Sequence, residues 1–296
     1  MPSRYMILGV VLLGLALLRG GVLFMQPRRL VALLARGSGD VLFFVDGAES
    51  AIALTIDDGP DGVTTPRILE VLARQRARAT FFLISSRVPG HEGLISRMVA
   101  QGHELGNHLT LDEPSIRLSA AGFESALVEA DSVLSRFRPM RWLRPGSGWY
   151  SDTMLAIARA RGYDCALGSI YPYDALIPWP RFAALQILTN ARAGDVIVLH
   201  DGGARGRRTA AVLERILPAL QRRGLEVVTP SDLAGRLRRG PSQISGDRHR
   251  SWSGPGRGPP APPNPARRGR SRPRHDPRLL TSAPAPETPT MPQSSL

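Results

Sequence analysis

Cysteine is nearly absent from these 296 residues, and lysine is wholly absent. With Cys165 as the lone cysteine, no disulfide framework can hold a domain together, so any fold must rest on a buried core. The length is enough for one large domain or two ordinary ones, and 43% hydrophobic residues can bury a sizeable core over part of it. A Gly-X-Y period is missing, which excludes a collagen, and no internal repeat is seen. Without lysine, all 38 basic residues are arginine, and the formal net charge is +13. Such charge alone invites a nucleic-acid partner. A surface selected for phosphate would mix both cations, since both neutralise it. Arginine alone reads as coding bias, and nucleic acid is not an expected partner.

What is present is unevenly spread. Pro241 to Leu296 holds 13 of the 26 prolines and nine Arg against Asp247, Asp276 and Glu287. Such a composition buries too little surface to offset the entropy of ordering, so residues 240–296 read as a disordered tail. At the other end, Tyr5 to Leu18 is an unbroken apolar run. It suits a signal-peptide core and falls short of a span unless it continues to Met25. No small-x-small cleavage site follows, so residues 1–36 are expected to be an uncleaved membrane anchor facing the cell envelope or exterior. Arg19, Arg28, Arg29 and Arg36 after the run oppose this and favour a cytoplasmic-facing domain. A third reading is a buried or interfacial N-terminal helix.

Between these ends, roughly residues 41–239, apolar runs and helical patterns alternate about seven times. Strands are expected at Val41–Val45, Ala51–Ile56, Thr80–Ile84, around Glu104–Gly106, and at Arg141–Arg144, Asp164–Ser169, Asp195–Leu199 and Glu226–Thr229. Helices are expected at Thr65–Arg78 with Thr65 capping, Gly93–Gly102, Ser119–Phe137, Ser151–Arg161, Arg181–Ala191 and Thr209–Arg223. This is an α/β pattern with a parallel sheet, suiting a barrel or an open sheet. Function in such folds sits at the carboxyl ends of strands.

The residues just after each strand carry the chemistry. Asp57-Asp58-Gly59-Pro60 places two carboxylates on a stiff turn, one able to hold a cation and the other to face a water. His108 and Asp112 are four apart, a spacing that can chelate a divalent ion or form a surface pair. Arg144 opens an irregular loop, Arg144-Pro145-Gly146-Ser147-Gly148, and can pair with a carboxylate. His200, at the end of a wholly apolar strand, is placed as a proton donor. Together these read as a metal-dependent hydrolase. His103 and Cys165 read as structural.

Thr55-Ile56-Asp57-Asp58-Gly59-Pro60, Ala79-Thr80-Phe81-Phe82, Gly102-His103-Glu104-Leu105-Gly106-Asn107-His108 and Gly194 to Asp201 follow in order. This series resembles the polysaccharide deacetylases, the NodB homology domain of carbohydrate esterase family four. The resemblance implies a distorted (β/α) barrel of about seven strands and removal of N-acetyl groups from an N-acetylglucosamine-containing glycan. It implies Asp57 as general base, Asp58 and His108 as ligands of zinc or another divalent ion, Arg144 holding the base, and His200 as general acid. Val198 and Leu199 would wall the acetyl pocket.

Three departures from the family pattern matter. The family's second histidine ligand is replaced by Asp112, with Leu109 at its Ser/Thr position. Asp112 as a ligand would make a harder site, suited to an ion other than zinc. The loop after Arg144 differs, with the Ser147 amide as the candidate oxyanion donor. The Asp that tunes the acid has Asp174 as its nearest candidate, with Trp179 a doubtful partner. A metal-free glycan-binding module, or a hydrolase of another linear amide, are the alternatives.

Overall fold

The computed structural model describes residues 19–35 and 41–237. Two compact units, Met1–Ser245 and Gly246–Leu296, divide the chain, and the described residues all lie in the first. The expected tail at 240–296 and the apolar run Tyr5–Leu18 lie outside them. In order, the elements are α1 (Arg28–Ala35), β1 (Val41–Leu42), β2 (Ala51–Gly59), α2 (Thr64–Arg74), β3 (Thr80–Leu83), α3 (Glu92–Ala100), β4 (Glu104–Asn107) and α4 (Ala120–Leu134). There follow β5 (Trp142–Leu143), α5 (Asp152–Ala160), β6 (Asp164–Ala166), α6 (Pro180–Asn190), β7 (Val196–His200), α7 (Gly203–Arg222), β8 (Glu226–Val228) and α8 (Pro230–Leu237).

The strands form one parallel sheet in the order β1-β6-β5-β4-β3-β2-β7, with β8 against the start of β2. All nine residues of β2 are buried, as a strand covered on both faces requires. One face of the sheet carries Ile52, Leu54, Ile56, Phe81, Leu83, Ile197 and Leu199 into the main core with Ile68, Leu69, Leu72, Leu213 and Leu217 of α2 and α7. Each such side chain contributes about 1.5–3 kcal/mol by burial. The sheet curls, and Ile170, just past β6, bridges Ile197 of β7. Gly168 permits this approach: its φ is +122°, and a Cβ there would lie 2.6 Å from Val198 Cγ2. The result is the expected distorted (β/α) barrel.

Two local expectations are corrected. Thr65 does not cap α2. The Asp61 carboxylate accepts from the Val63 and Thr64 amides at 2.9 and 2.8 Å, while the Thr65 hydroxyl donates to Asp201. The closing helix α8 was not expected. It begins at Pro230, where a missing N–H costs nothing, and it buries Leu233 against Val228 and Ala53.

The residues that follow the apolar run dock on this body. Residues 19–25 are helical, and Phe24 packs edge-on against Phe182 at 5.7 Å. The Phe24 carbonyl accepts from Gln186 and Asn190 at 3.2 and 2.9 Å. Arg28 donates to the Ala193 carbonyl at 2.9 Å and pairs with Asp46 and Asp195. No helix among the described residues is long and apolar enough to cross a membrane.

Candidate active site

β2 and β7 run side by side with Asp57 opposite His200 in the register, so two chemically unlike groups share one rim. Asp57 is buried, and its Oδ1 accepts from Arg144 Nη1 at 2.6 Å. Arg144 comes from the end of β5 and is itself buried. It also donates to Thr55 Oγ1 at 2.7 Å and to the Ala166 carbonyl at 2.8 Å, and it stacks 4.1 Å from the Phe82 ring centroid. A carboxylate fixed in this way stays aimed.

Across from it, His200 is held by Asp174. Asp174 Oδ1 lies 3.0 Å from His200 Nδ1, and Oδ2 accepts the His200 amide at 2.9 Å. Burial pulls the imidazole pKa down. The bond to Asp174 and the charges of Asp174, Asp57 and Asp58 outweigh it and carry the value up to about 9. His200 is therefore a protonated acid at neutral pH. Asp201, next in the chain, is a brace. It is buried and accepts from both Thr64 and Thr65, tying the end of β7 to the start of α2.

Asp58 turns away from Asp57 because its φ is +69°, in the left-handed region. Leu109 and Ser147, after β4 and β5, share this conformation. Asp58, Leu109 and Ser147 thus lie in this conformation at or after the carboxyl ends of β2, β4 and β5. The turn brings Asp58 Oδ1 to 3.4 Å from His108 Nε2. His108 Nδ1 lies 2.6 Å from the Arg144 carbonyl, which can only accept, so Nδ1 carries the proton and Nε2 faces Asp58. Burial opposes the charged imidazole. The Asp58 hydrogen bond and the charges of Asp57 and Asp58 overcome this and raise its pKa. Asp58 is pushed up by burial but drawn down to about 2 by His108, His200 and Arg205.

This arrangement has known relatives. The family model described as polysaccharide deacetylase matches residues 45–166. A peptidoglycan-N-acetylglucosamine deacetylase of Bacillus cereus is 34% identical over 200 residues, covering 66% of this chain and 93% of that one. A chitooligosaccharide deacetylase of Sinorhizobium fredii is 37% identical over 194 residues, 60% of this chain and 88% of that one.

The chain belongs to the polysaccharide deacetylase family.

Members of this family are hydrolases of carbon–nitrogen bonds. The structure of a peptidoglycan deacetylase from Bacillus subtilis superimposes with a TM-score of 0.60 at 28% identity, over 66% of this chain and 95% of that one.

A divalent ion is implied by the family, and two donors fit it. His108 presents Nε2 with its other nitrogen held by a carbonyl, the usual bracing of a ligating imidazole. Asp58 Oδ2 is buried and accepts no directed hydrogen bond among the described residues, and the Arg205 guanidinium lies 2.9 Å from it, a position a metal cation would take. The expected third donor is not brought to them. Asp112 is half exposed, and its Oδ2 accepts from Arg87 Nη2 at 3.0 Å and Arg205 Nη2 at 3.1 Å. Among the described residues, no three of His, Cys, Asp and Glu converge as a metal cluster. The Asp112 carboxylate is engaged by two guanidinium groups instead.

The remaining expectations divide. Val198 lies on the His200 face of β7, but Leu199 alternates to the opposite face and joins the helix-packed core. Leu199 therefore does not reach the rim. In the loop after β5, the Gly146 amide is taken by Ser115 Oγ at 2.7 Å and the Gly148 amide by the Pro145 carbonyl at 3.0 Å. The exposed Ser147 supplies the loop's remaining candidate amide. Asp174, the nearest candidate for the Asp that tunes the acid, is the partner of His200. Trp179 is exposed on the same loop. His103 is buried edge-on to Phe81, with its pKa lowered to about 4 by burial and by Arg78. Cys165 is buried, its thiol pushed up to about 12.

Arg87 and Arg205 were not anticipated. Arg87 follows β3 and also donates to the Asp58 carbonyl. Arg205, in the first turn of α7, places Nη1 2.9 Å from Asp58 Oδ2. No composition signal marks either one in a chain whose basic residues are all arginine.

Proposed function

We propose that this chain removes acetyl groups from N-acetylglucosamine units of a chitin-like or cell-wall glycan. The observation that carries the reading is the pairing of Asp57, held by Arg144, with a protonated His200, held by Asp174, at opposed positions of adjacent strands. The acid already carries the proton the reaction needs, and the base is fixed in place by Arg144. Asp57 takes a proton from water as the oxygen attacks the acetyl carbonyl carbon. The C–N bond then breaks, and His200 gives its proton to the departing nitrogen. The products are acetate and a free amine. The Ser147 amide receives the charge that develops on the carbonyl oxygen, and Val198 faces the methyl group.

Asp58 and His108 would hold a divalent ion, zinc first by donor type, and such an ion supplies a Lewis acid that polarises carbonyl and water. The N-terminal apolar run supports a location at the outer face of a membrane, which protease treatment of intact cells would test.

Release of amine from N-acetylchitooligosaccharides and peptidoglycan, with zinc or manganese supplied, is the test. Activity lost in Asp57→Asn and His200→Gln is the expected result. No release from any of these glycans by a folded, metal-supplemented protein overturns the reading. The held-off Asp112 favours one second reading, a metal-free glycan-binding module. Glycan binding without turnover, and no metal uptake, would establish it.

A further inference from the structure

Arg205 lies beside the carboxylate that would hold a cation. Its Nη1 is 2.9 Å from Asp58 Oδ2 and its Nη2 is 3.1 Å from Asp112 Oδ2, so one guanidinium spans the two carboxylates. The contact with Asp58 is an ion pair whose geometry is not that of a directed hydrogen bond. A group held by charge and not by directed bonds is readily exchanged for another cation. Arg205 is also about one-third exposed, on a long side chain with a path to solvent. Asp112, half exposed, is held by Arg205 from one side and Arg87 from the other.

We propose that Arg205 is a tethered competitor for the cation position, and that Asp112 serves as its anchor and not as a metal ligand. The guanidinium and a divalent ion cannot share Asp58 Oδ2, because like charges a few ångströms apart repel strongly in a partly buried site. Metal enters only as Arg205 withdraws, so the apparent affinity for metal is set by Arg205 and by whatever holds it. This rests on the reading that Asp58 and His108 are the pair that receives the ion.

The two roles open to Asp112 have opposite signatures. If Asp112 is a ligand, removing its charge weakens metal binding. If it anchors Arg205, removing its charge frees the arginine and tightens metal binding. The full chain, stripped with chelator, is titrated with zinc and with manganese by calorimetry, alongside Arg205→Met and Asp112→Asn. Arg205→Met is expected to bind at least about tenfold more tightly from the loss of one adjacent charge. Asp112→Asn is expected to shift in the same direction, and to have no further effect once Arg205 is Met. Unchanged or weaker binding in Arg205→Met, or weaker binding in Asp112→Asn, overturns the proposal. Thermal unfolding of each variant confirms that the fold is kept. Because the readout is binding, failure of this proposal leaves glycan turnover by the parent unaffected. A parent that turns over no glycan leaves the binding result standing.

Discussion

Replacing Asp174 with Asn leaves shape nearly unchanged and removes the charge that keeps His200 protonated. His200 moves from an ordinary 6.5 to about 9, and its side chain is only 25% exposed. A displacement of that size corresponds to about 3 kcal/mol between the two protonation states. Asp57 and Asp58 contribute to it and remain in the variant, so removing Asp174 takes away the largest part of the rise but not the whole. Two measurements follow. The imidazole resonance of His200, followed by NMR across pH 5 to 11, should titrate near 9 in the parent and well below that in Asp174→Asn. The high-pH limb of kcat/KM reports the acid in the free enzyme and should move down by the same interval. Stability carries the same signature. The folded pKa lies above the unfolded one, so the stabilisation is complete below about 6.5 and is lost as pH rises through about 9. The parent should therefore lose more stability than the variant between pH 6 and pH 10. A His200 that titrates near 6.5 in the parent, or a limb that stays in place in the variant, would refute the assignment of His200 as an acid charged by Asp174.

Other perturbations test separate parts of the site. Arg144→Met leaves Asp57 buried without its partner, and breaking such a pair costs about 3–5 kcal/mol. Chemical denaturation should show this loss, and the double variant with Asp57→Asn should lose less than the sum of the two single variants. Gly146→Ala puts a Cβ 2.0 Å from the Glu113 carbonyl oxygen, so the loop must shift at a cost of about 1–3 kcal/mol. Activity should fall with it as the Ser147 amide moves; unaltered stability and turnover would show that the loop is not held there. Trp149 and Trp179 are exposed on the loops that follow β5 and β6. If they stack on sugar rings, Trp179→Ala and Trp149→Ala raise KM for a chitooligosaccharide far more than they lower kcat. A drop in kcat alone would place them elsewhere in the reaction.

Much of the site was legible because strand ends are legible. The run Ile52 to Ile56 is apolar enough to announce a buried strand, and that alone puts Asp57 and Asp58 at its carboxyl end. The same logic found His200 after β7 and Arg144 after β5. Asp174 was identified only as the nearest acidic residue in a long loop, and its hold on His200 depends on how that loop crosses the rim. Leu199 was misjudged by adjacency: it follows a residue that faces the rim, and strand alternation sends it to the other side. Asp112 sits at the spacing of a chelating pair. Its environment, though, is set by arginines 25 and 93 residues away in sequence, which local pattern does not register. Thr65 failed as a cap for a similar reason, since Asp61 reaches the free amides first and the Thr65 hydroxyl is drawn to Asp201.

The docking of Phe24, Gln26 and Arg28 on α6 and the loops beside it has a mechanical meaning. Those contacts engage backbone carbonyls at 24, 171 and 193, so they survive changes of side chain elsewhere. The chain therefore enters the barrel along a fixed line and not through a loose tether. A force or constraint applied upstream of residue 22 is transmitted to the body that bears Asp57 and His200, with no free joint in the described residues 22–28 to absorb it.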